Sequence, residues 1–244
     1  MSHTLENITI AGRTCSIYLP PSVEEKPHGV LYVHDGKQFV STFQELLPTL
    51  EESCLNNLPI IVALQSLNRL NEYTPWPKEA LDPKFPPFGG LGDDYLTHLT
   101  QEIKPYIDAN YSTLSDPANT GILGFSLGGL ISIYAAYTKK EFGIIGSISG
   151  SFWYDGWVEY LKSQELTNPN LKIYLSSGRN EGLNKDNLRQ KAAEATIATQ
   201  QALSKVTGHE INVVWDDGGH HDLRLKRHAA ALEWISKQYQ NLSS

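Results

Sequence analysis

The stretch Thr120-Gly121-Ile122-Leu123-Gly124-Phe125-Ser126-Leu127-Gly128-Gly129-Leu130 runs from an apolar, strand-like segment straight into a helix-like one that continues to Tyr137. A chain that turns from strand to helix in so few residues strains the backbone at the corner, here Ser126. Positions two before and two after that corner must be small, because a side chain there collides with neighbouring main chain; Gly124 and Gly128 meet the requirement. The corner lifts the Ser126 hydroxyl clear of the sheet, at the positive end of the following helix. It also aims the Leu127 N–H at the place where a carbonyl oxygen under attack gains charge. Gly-x-Ser-x-Gly alone is a common string in glycine-rich loops. Set between a strand and a helix, it predicts a presented nucleophile rather than a plain turn.

The segments around this corner alternate between short apolar runs and longer periodic ones, the pattern of a mostly parallel sheet flanked by helices. Residues 8–10 and 15–19 read as two antiparallel strands joined at Ala11-Gly12. Residues 29–33 and 60–64 read as buried parallel strands, apolar on both faces. Further strands are expected over 120–123, 142–148, 171–175 and 211–215, and helices over 130–137, 187–204 and 223–239. Tyr95, Leu96, Leu99, Ile103, Tyr106 and Ile107 recur at helical spacing, with Pro105 expected to kink that helix. Residues 65–91 hold five of the chain's 13 prolines, so they are expected to form an irregular loop folded over something by its aromatics. The prediction is one doubly wound α/β domain over residues 1–244, with helices on both faces of the sheet.

Composition bounds the function. The 244 residues carry 20 Lys+Arg against 27 Asp+Glu, a net charge of −7, which argues against a nucleic-acid partner because phosphate binding relies on basic patches. Cys15 and Cys54 are the two cysteines, with no CxxC and no Cys/His spacing for zinc, so neither a disulfide nor a metal is expected. The start, Met-Ser-His-Thr-Leu-Glu-Asn, lacks the basic and apolar regions of a signal peptide, and no run is long enough to span a membrane. A cytoplasmic protein of unknown oligomeric state, acting on a small molecule without a cofactor, is the expectation.

A serine hydroxyl is a poor nucleophile at neutral pH and needs a base. His220 and His221 lie in Asp216-Asp217-Gly218-Gly219-His220-His221-Asp222, a turn after the last predicted strand, and catalytic groups in such sheets gather at the carboxyl ends of strands. His220 is read as the base, with His221 the alternative. His3, His28, His98, His209 and His228 lie in the tail, in helices or at unsuitable ends, and His34 falls early in the chain. The acid that orients the imidazole is read as Glu181, in Ser176-Ser177-Gly178-Arg179-Asn180-Glu181-Gly182, with Asp186 second. The oxyanion donors are read as the N–H groups of Leu127 and of Lys37 or a neighbour in His34-Asp35-Gly36-Lys37-Gln38-Phe39.

With these residues placed, the chain resembles the putative-esterase family of α/β hydrolases, which includes enterochelin-type siderophore esterases and feruloyl esterases. The resemblance covers about residues 29–234. It rests on Val30-Leu31-Tyr32-Val33-His34-Asp35-Gly36, on Arg69 with Glu72-Tyr73-Thr74-Pro75, and on Lys104-Pro105-Tyr106-Ile107-Asp108 with Tyr111. Gly124 to Gly129, Ser149-Gly150-Ser151-Phe152-Trp153 and Gly218-Gly219-His220 complete it. The resemblance implies an α/β-hydrolase fold without a large lid domain, Ser126 as nucleophile, His220 as base, and Glu181 as the acid of a Gly-x-x-acid turn. The family's Trp-Arg pair after the histidine is replaced here by Asp222-Leu223-Arg224-Leu225-Lys226-Arg227. Arg69, Trp76, Phe152 and Trp153 are the expected substrate contacts, although Phe152 and Trp153 read equally as core and Arg69 as half of a salt bridge, for example with Glu72. Arg69 and Lys37 near the mouth suit an anionic or catecholate-bearing ester. The expected activity is serine ester hydrolysis through an acyl-enzyme, on a siderophore trilactone-type ester. Feruloyl or acetyl sugar esters and S-formylglutathione are the alternatives, and a non-catalytic binding shell is the contrasting class.

Overall fold

The computed structural model describes residues 4–54 and 57–239. The start of the chain, His3 included, lies outside them. Strands β1 (Thr4–Ile10) and β2 (Arg13–Leu19) form a hairpin whose turn, Ala11-Gly12, has both residues at positive φ, 47° and 80°. That is the twist-matched geometry for a two-residue loop. β3 (Val30–Val33) leads into helix α1 (Gly36–Cys54), and β4 (Ile60–Leu64) into the short helix α2 (Arg69–Glu72), capped by the Asn68 side chain. Two-residue strands β5 (Pro77–Lys78) and β6 (Phe88–Gly89) pair as a ribbon. Regular structure within residues 65–91 corrects the sequence expectation: so short a ribbon tolerates Pro77 because few N–H groups are required of it.

Helices α3 (Gly92–His98) and α4 (Lys104–Asn110) are one continuous helical rod, joined by a π-helical stretch over Leu99–Ile103. Pro105 lies inside this rod and cannot donate to the turn before it; the wider π-helical turn, in which the Lys104 N–H reaches back to Leu99 O, accommodates the ring without breaking the helix. β7 (Thr120–Phe125) and α5 (Leu127–Thr138) meet at Ser126. The chain continues through β8 (Ile144–Ile148), α6 (Trp157–Ser163), β9 (Lys172–Gly178), α7 (Ala192–Thr207), β10 (Val213–Asp216) and α8 (Arg224–Ser236). α1 and α6 go beyond the helices expected from sequence.

Eight strands form one sheet in the order β1-β2-β4-β3-β7-β8-β9-β10, parallel from β4 onward and antiparallel at β2. Side chains alternate across it. Val30, Tyr32, Ile60 and Val62 enter the core beneath α3 to α7, whereas Leu31, Val33, Ile61 and Ala63 enter the core beneath α1 and α8. Cys15 belongs to the first core and Cys54 to the second, so the sheet separates the two thiols. Because the central strands point the same way, the loops after β3, β7, β9 and β10 all emerge at one edge. That is where the chemistry-bearing residues collect. Among the described residues, no helix is long and apolar enough to cross a membrane and no cluster of three or more His, Cys, Asp or Glu residues could hold a metal.

Candidate active site

Ser126 has φ 61° and ψ −121°, a conformation that costs a non-glycine residue energy and persists only where its surroundings enforce it. Its N–H donates to Ile148 O, and its carbonyl accepts from Leu130 and Ser151, each at 3.0 Å. A Cβ on Gly124 would overlap the main chain of Gly128, so at this position glycine is required by contact as well as by turn geometry. Leu127 opens α5, and as its first residue has no intrahelical acceptor for its N–H.

The loops after β9 and β10 bring two partners to this hydroxyl. His220 Nε2 lies 3.0 Å from Ser126 Oγ, and His220 Nδ1 lies 2.7 Å from Glu181 Oε2. A carboxylate only accepts, so Nδ1 carries the proton of the neutral ring and Nε2 is left to accept from the serine hydroxyl. The ring is steadied by Phe125, with centroids 4.9 Å apart. Ser151 Oγ stands 3.2 Å from Ser126 Oγ on its other side. Burial of Glu181 works to raise its pKa, but the hydrogen bonds from His220 and the Gly178 N–H, with the His220 charge and a bond from Ser149, hold it below the ordinary value.

Arg227, from α8, is the functional residue that sequence reasoning missed. Its guanidinium is buried and donates to Glu181 Oε1 at 3.1 Å, to Ser149 Oγ at 2.8 Å, and to Asp216 through Nε and Nη2 at 2.6 Å each. It also reaches the carbonyls of Gly219 and His220, at 3.1 and 3.4 Å. One side chain thus fixes the acid, the end of β10 and the loop that carries the imidazole. Nothing local in Asp222-Leu223-Arg224-Leu225-Lys226-Arg227 singles out Arg227 from its basic neighbours.

Two cavities flank Ser126. The larger, about 350 Å³, is walled by Leu70, Leu81, Phe85, Phe88 and Trp153, with Lys185 and Arg189 at its rim. Arg189 lies over the Trp153 ring, 5.7 Å from its centroid. The smaller, about 200 Å³, lies between the loop after β3 and the start of α8. Arg69 and His221 border both. Arg69 is held by Asp35 in a two-pronged pair at 2.8 and 3.0 Å, not by Glu72, which pairs with Arg13 at 2.8 Å.

Three expected site residues are placed differently. The Lys37 N–H is taken by Gln65 Oε1 at 3.2 Å, and Lys37 borders neither cavity, so it offers no open oxyanion donor. Phe152 is buried in the core, stacked on Trp157 at 5.9 Å, because the turn after β8 points it inward while Trp153 faces the cavity. Trp76 donates to Asp155 O at 2.9 Å and packs on Tyr154 and Tyr160, tying the ribbon to α6 outside the cavity wall. Asp186 is exposed, with Glu181 in the position nearest the imidazole.

The sheet order, the corner at Ser126 and the edge on which His220 and Glu181 converge define an α/β hydrolase. Residues 8–228 match the family model described as Putative esterase, and the chain belongs to that family; it is a carboxylic ester hydrolase. It is 34% identical over 245 residues to a Bacillus subtilis (strain 168) protein described as "Uncharacterized protein YbbA", covering 96% of this chain and 97% of that one. An IroE-like serine hydrolase from Shewanella oneidensis superimposes with a TM-score of 0.78 at 19% identity, covering 97% of this chain and 80% of the other. The enterobactin esterase FES from Shigella flexneri, solved in the presence of enterobactin, gives 0.74 at 19% identity, covering 97% and 59%. These structural likenesses establish the fold.

Proposed function

We propose that the protein hydrolyses carboxylic esters by a serine mechanism, with Ser126 as nucleophile, His220 as base and Glu181 as the orienting acid. The observation that carries this is the unbroken hydrogen-bonded line from Glu181 Oε2 through the imidazole to Ser126 Oγ, at 2.7 and 3.0 Å. As the hydroxyl attacks the ester carbonyl, its proton passes to Nε2, and the ionised Glu181 stabilises the imidazolium that forms. The Leu127 N–H, at the positive end of α5, receives the developing oxyanion. His220 then protonates the leaving alcohol, and water, deprotonated by the same nitrogen, releases the acyl group.

The proposed substrates are siderophore-type esters. Two features support this: an apolar, aromatic-walled cavity whose rim carries the cations Lys185 and Arg189, and the likeness to an esterase solved with enterobactin. The test is a panel of a ferric trilactone, methyl ferulate and p-nitrophenyl butyrate, run with Ser126→Ala as control. The expected result is turnover that falls by about 10³-fold or more in the folded variant, with the trilactone preferred. Unchanged p-nitrophenyl butyrate hydrolysis by Ser126→Ala would refute the serine mechanism; preference for methyl ferulate would refute the substrate class.

A further inference from the structure

We propose that Ser151 is a further catalytic residue: its hydroxyl donates to Ser126 Oγ as that oxygen leaves the acyl group, so that it serves deacylation more than acylation. The proposal rests on the serine-hydrolase reading and assigns a residue to its second half. Ser151 Oγ lies 3.2 Å from Ser126 Oγ, the reacting atom, and has no other hydrogen-bond partner among the described residues. Which hydroxyl donates follows from the protons present. Nε2 of His220 accepts the single proton of Ser126, because Nδ1 keeps its own for Glu181. Toward Ser151, therefore, Ser126 Oγ is the acceptor and Ser151 the donor.

The loop after β8 fixes this contact. The Ser151 N–H donates to Ser126 O at 3.0 Å, so the hydroxyl is tied to the backbone of the nucleophile itself. Ser149 has φ 51°, and a Cβ on Gly150 would overlap Ser147 Oγ and the Phe152 ring, so the turn that delivers Ser151 is closely packed. Ser151 borders the larger cavity but is only 1% exposed, which holds its hydroxyl on Ser126.

Only a bond that strengthens toward the transition state speeds a step. In the free enzyme Ser126 Oγ is a hydroxyl that already accepts from Ser151, so acylation gains little. In the acyl-enzyme the same atom is the alkyl oxygen of an ester, which shares its lone pair with the carbonyl and accepts poorly. Water gives a proton to Nε2 and attacks that carbonyl, whose π pair moves onto its oxygen. The pair then returns, the C–Oγ bond breaks with its electrons on Oγ, and Nε2 gives the proton to Oγ. Throughout, Oγ becomes a stronger acceptor, and Ser151, which keeps its own proton, stabilises the charge gathering there.

The test follows p-nitrophenyl trimethylacetate in stopped flow, an ester whose activated phenol makes acylation fast and whose hindered acyl group makes deacylation slow. Release of p-nitrophenolate in the first turnover reads acylation, and the later steady rate reads deacylation. In Ser151→Ala the first turnover is expected within about three-fold of the parent. The steady rate is expected to fall by about ten-fold or more, the range for a hydrogen bond to a charged group, with the acyl-enzyme persisting by intact mass. An unchanged steady rate would overturn the role of Ser151. So would equal slowing of both phases, because a residue that merely positions Ser126 or receives the oxyanion serves both halves. In either case the serine mechanism stands while Ser126→Ala gives no first-turnover release; release that survives in Ser126→Ala would overturn both readings.

Discussion

Arg227 Nη1 meets Glu181 Oε1 at 3.1 Å, while the other oxygen of the same carboxylate holds His220 at 2.7 Å. The acid is thus gripped from two sides by groups of different purpose. Replacing Arg227 with Met leaves Glu181 and Asp216 buried or half-buried without their cation, and breaking a buried pair costs about 3–5 kcal/mol. The expected outcome is a lowered melting temperature and a fall in kcat, with KM less affected. The carboxylate, deprived of a neighbouring positive charge, becomes easier to protonate, so the acid limb of the kcat/KM profile moves to higher pH. A profile of unchanged shape, with only the amount of active protein reduced, would assign Arg227 to folding alone.

Glu181→Gln tests the orienting role directly. An amide can present its NH₂ to the imidazole and stabilise the wrong tautomer, placing the proton on the nitrogen that must accept from Ser126. The expected loss is about 10³- to 10⁴-fold in kcat, with the fold intact by circular dichroism. Activity within a few-fold of the parent would show that Ser126 and His220 suffice.

Gly124 and Gly128 flank the nucleophile symmetrically in sequence but not in space. A Cβ on Gly124 would overlap the main chain of Gly128, whereas a Cβ on Gly128 would first meet His34 Cβ at 3.2 Å, a tight contact that a shift of a few tenths of an ångström relieves. Gly124→Ala is expected to be insoluble or strongly destabilised. Gly128→Ala is expected to fold with a melting temperature within several degrees of the parent, at reduced activity because His34 borders the smaller cavity. Equal melting temperatures for the two variants would contradict this asymmetry.

The parts of this architecture legible in the sequence are those set by local geometry. The corner at Ser126 needs small residues at fixed positions, and β4 (Ile60–Leu64) is an apolar run of strand length, so both are predictable without knowledge of the rest. His220 and Glu181 could be placed because strand ends order the loops that follow them. α1 was not legible: Phe39, Phe43, Leu47 and Leu50 have helical spacing, but Pro48 lies inside the helix and polar residues surround them. Nor was the direction of Phe152 or the role of Arg227. A turn that sends Phe152 inward and Trp153 outward, and a cation that reaches three other segments, are set by tertiary contacts with no local signature.

His34 and His228 together make stability depend on pH in a calculable direction. Burial, opposed for His228 by a bond to Arg224 O and aided for both by neighbouring arginines, pushes their pKa values down to about 3 and about 4. An unfolded histidine titrates near 6.5. Above that value both states are neutral and the contribution is fully present. As pH falls below it, the unfolded chain takes up protons that the folded one refuses, so stability is lost progressively until the folded values are reached. Between pH 7.5 and 5 each residue should cost about 2 kcal/mol, by the free energy equivalent of roughly 1.5 pH units. Urea unfolding of the parent at those two pH values should therefore show a drop that His228→Gln reduces, although the variant starts from a lower stability at pH 7.5. His34→Gln should reduce it further. Parallel pH dependence in parent and variants would mean that these imidazoles take up protons in the fold as readily as in the unfolded chain, contrary to their burial.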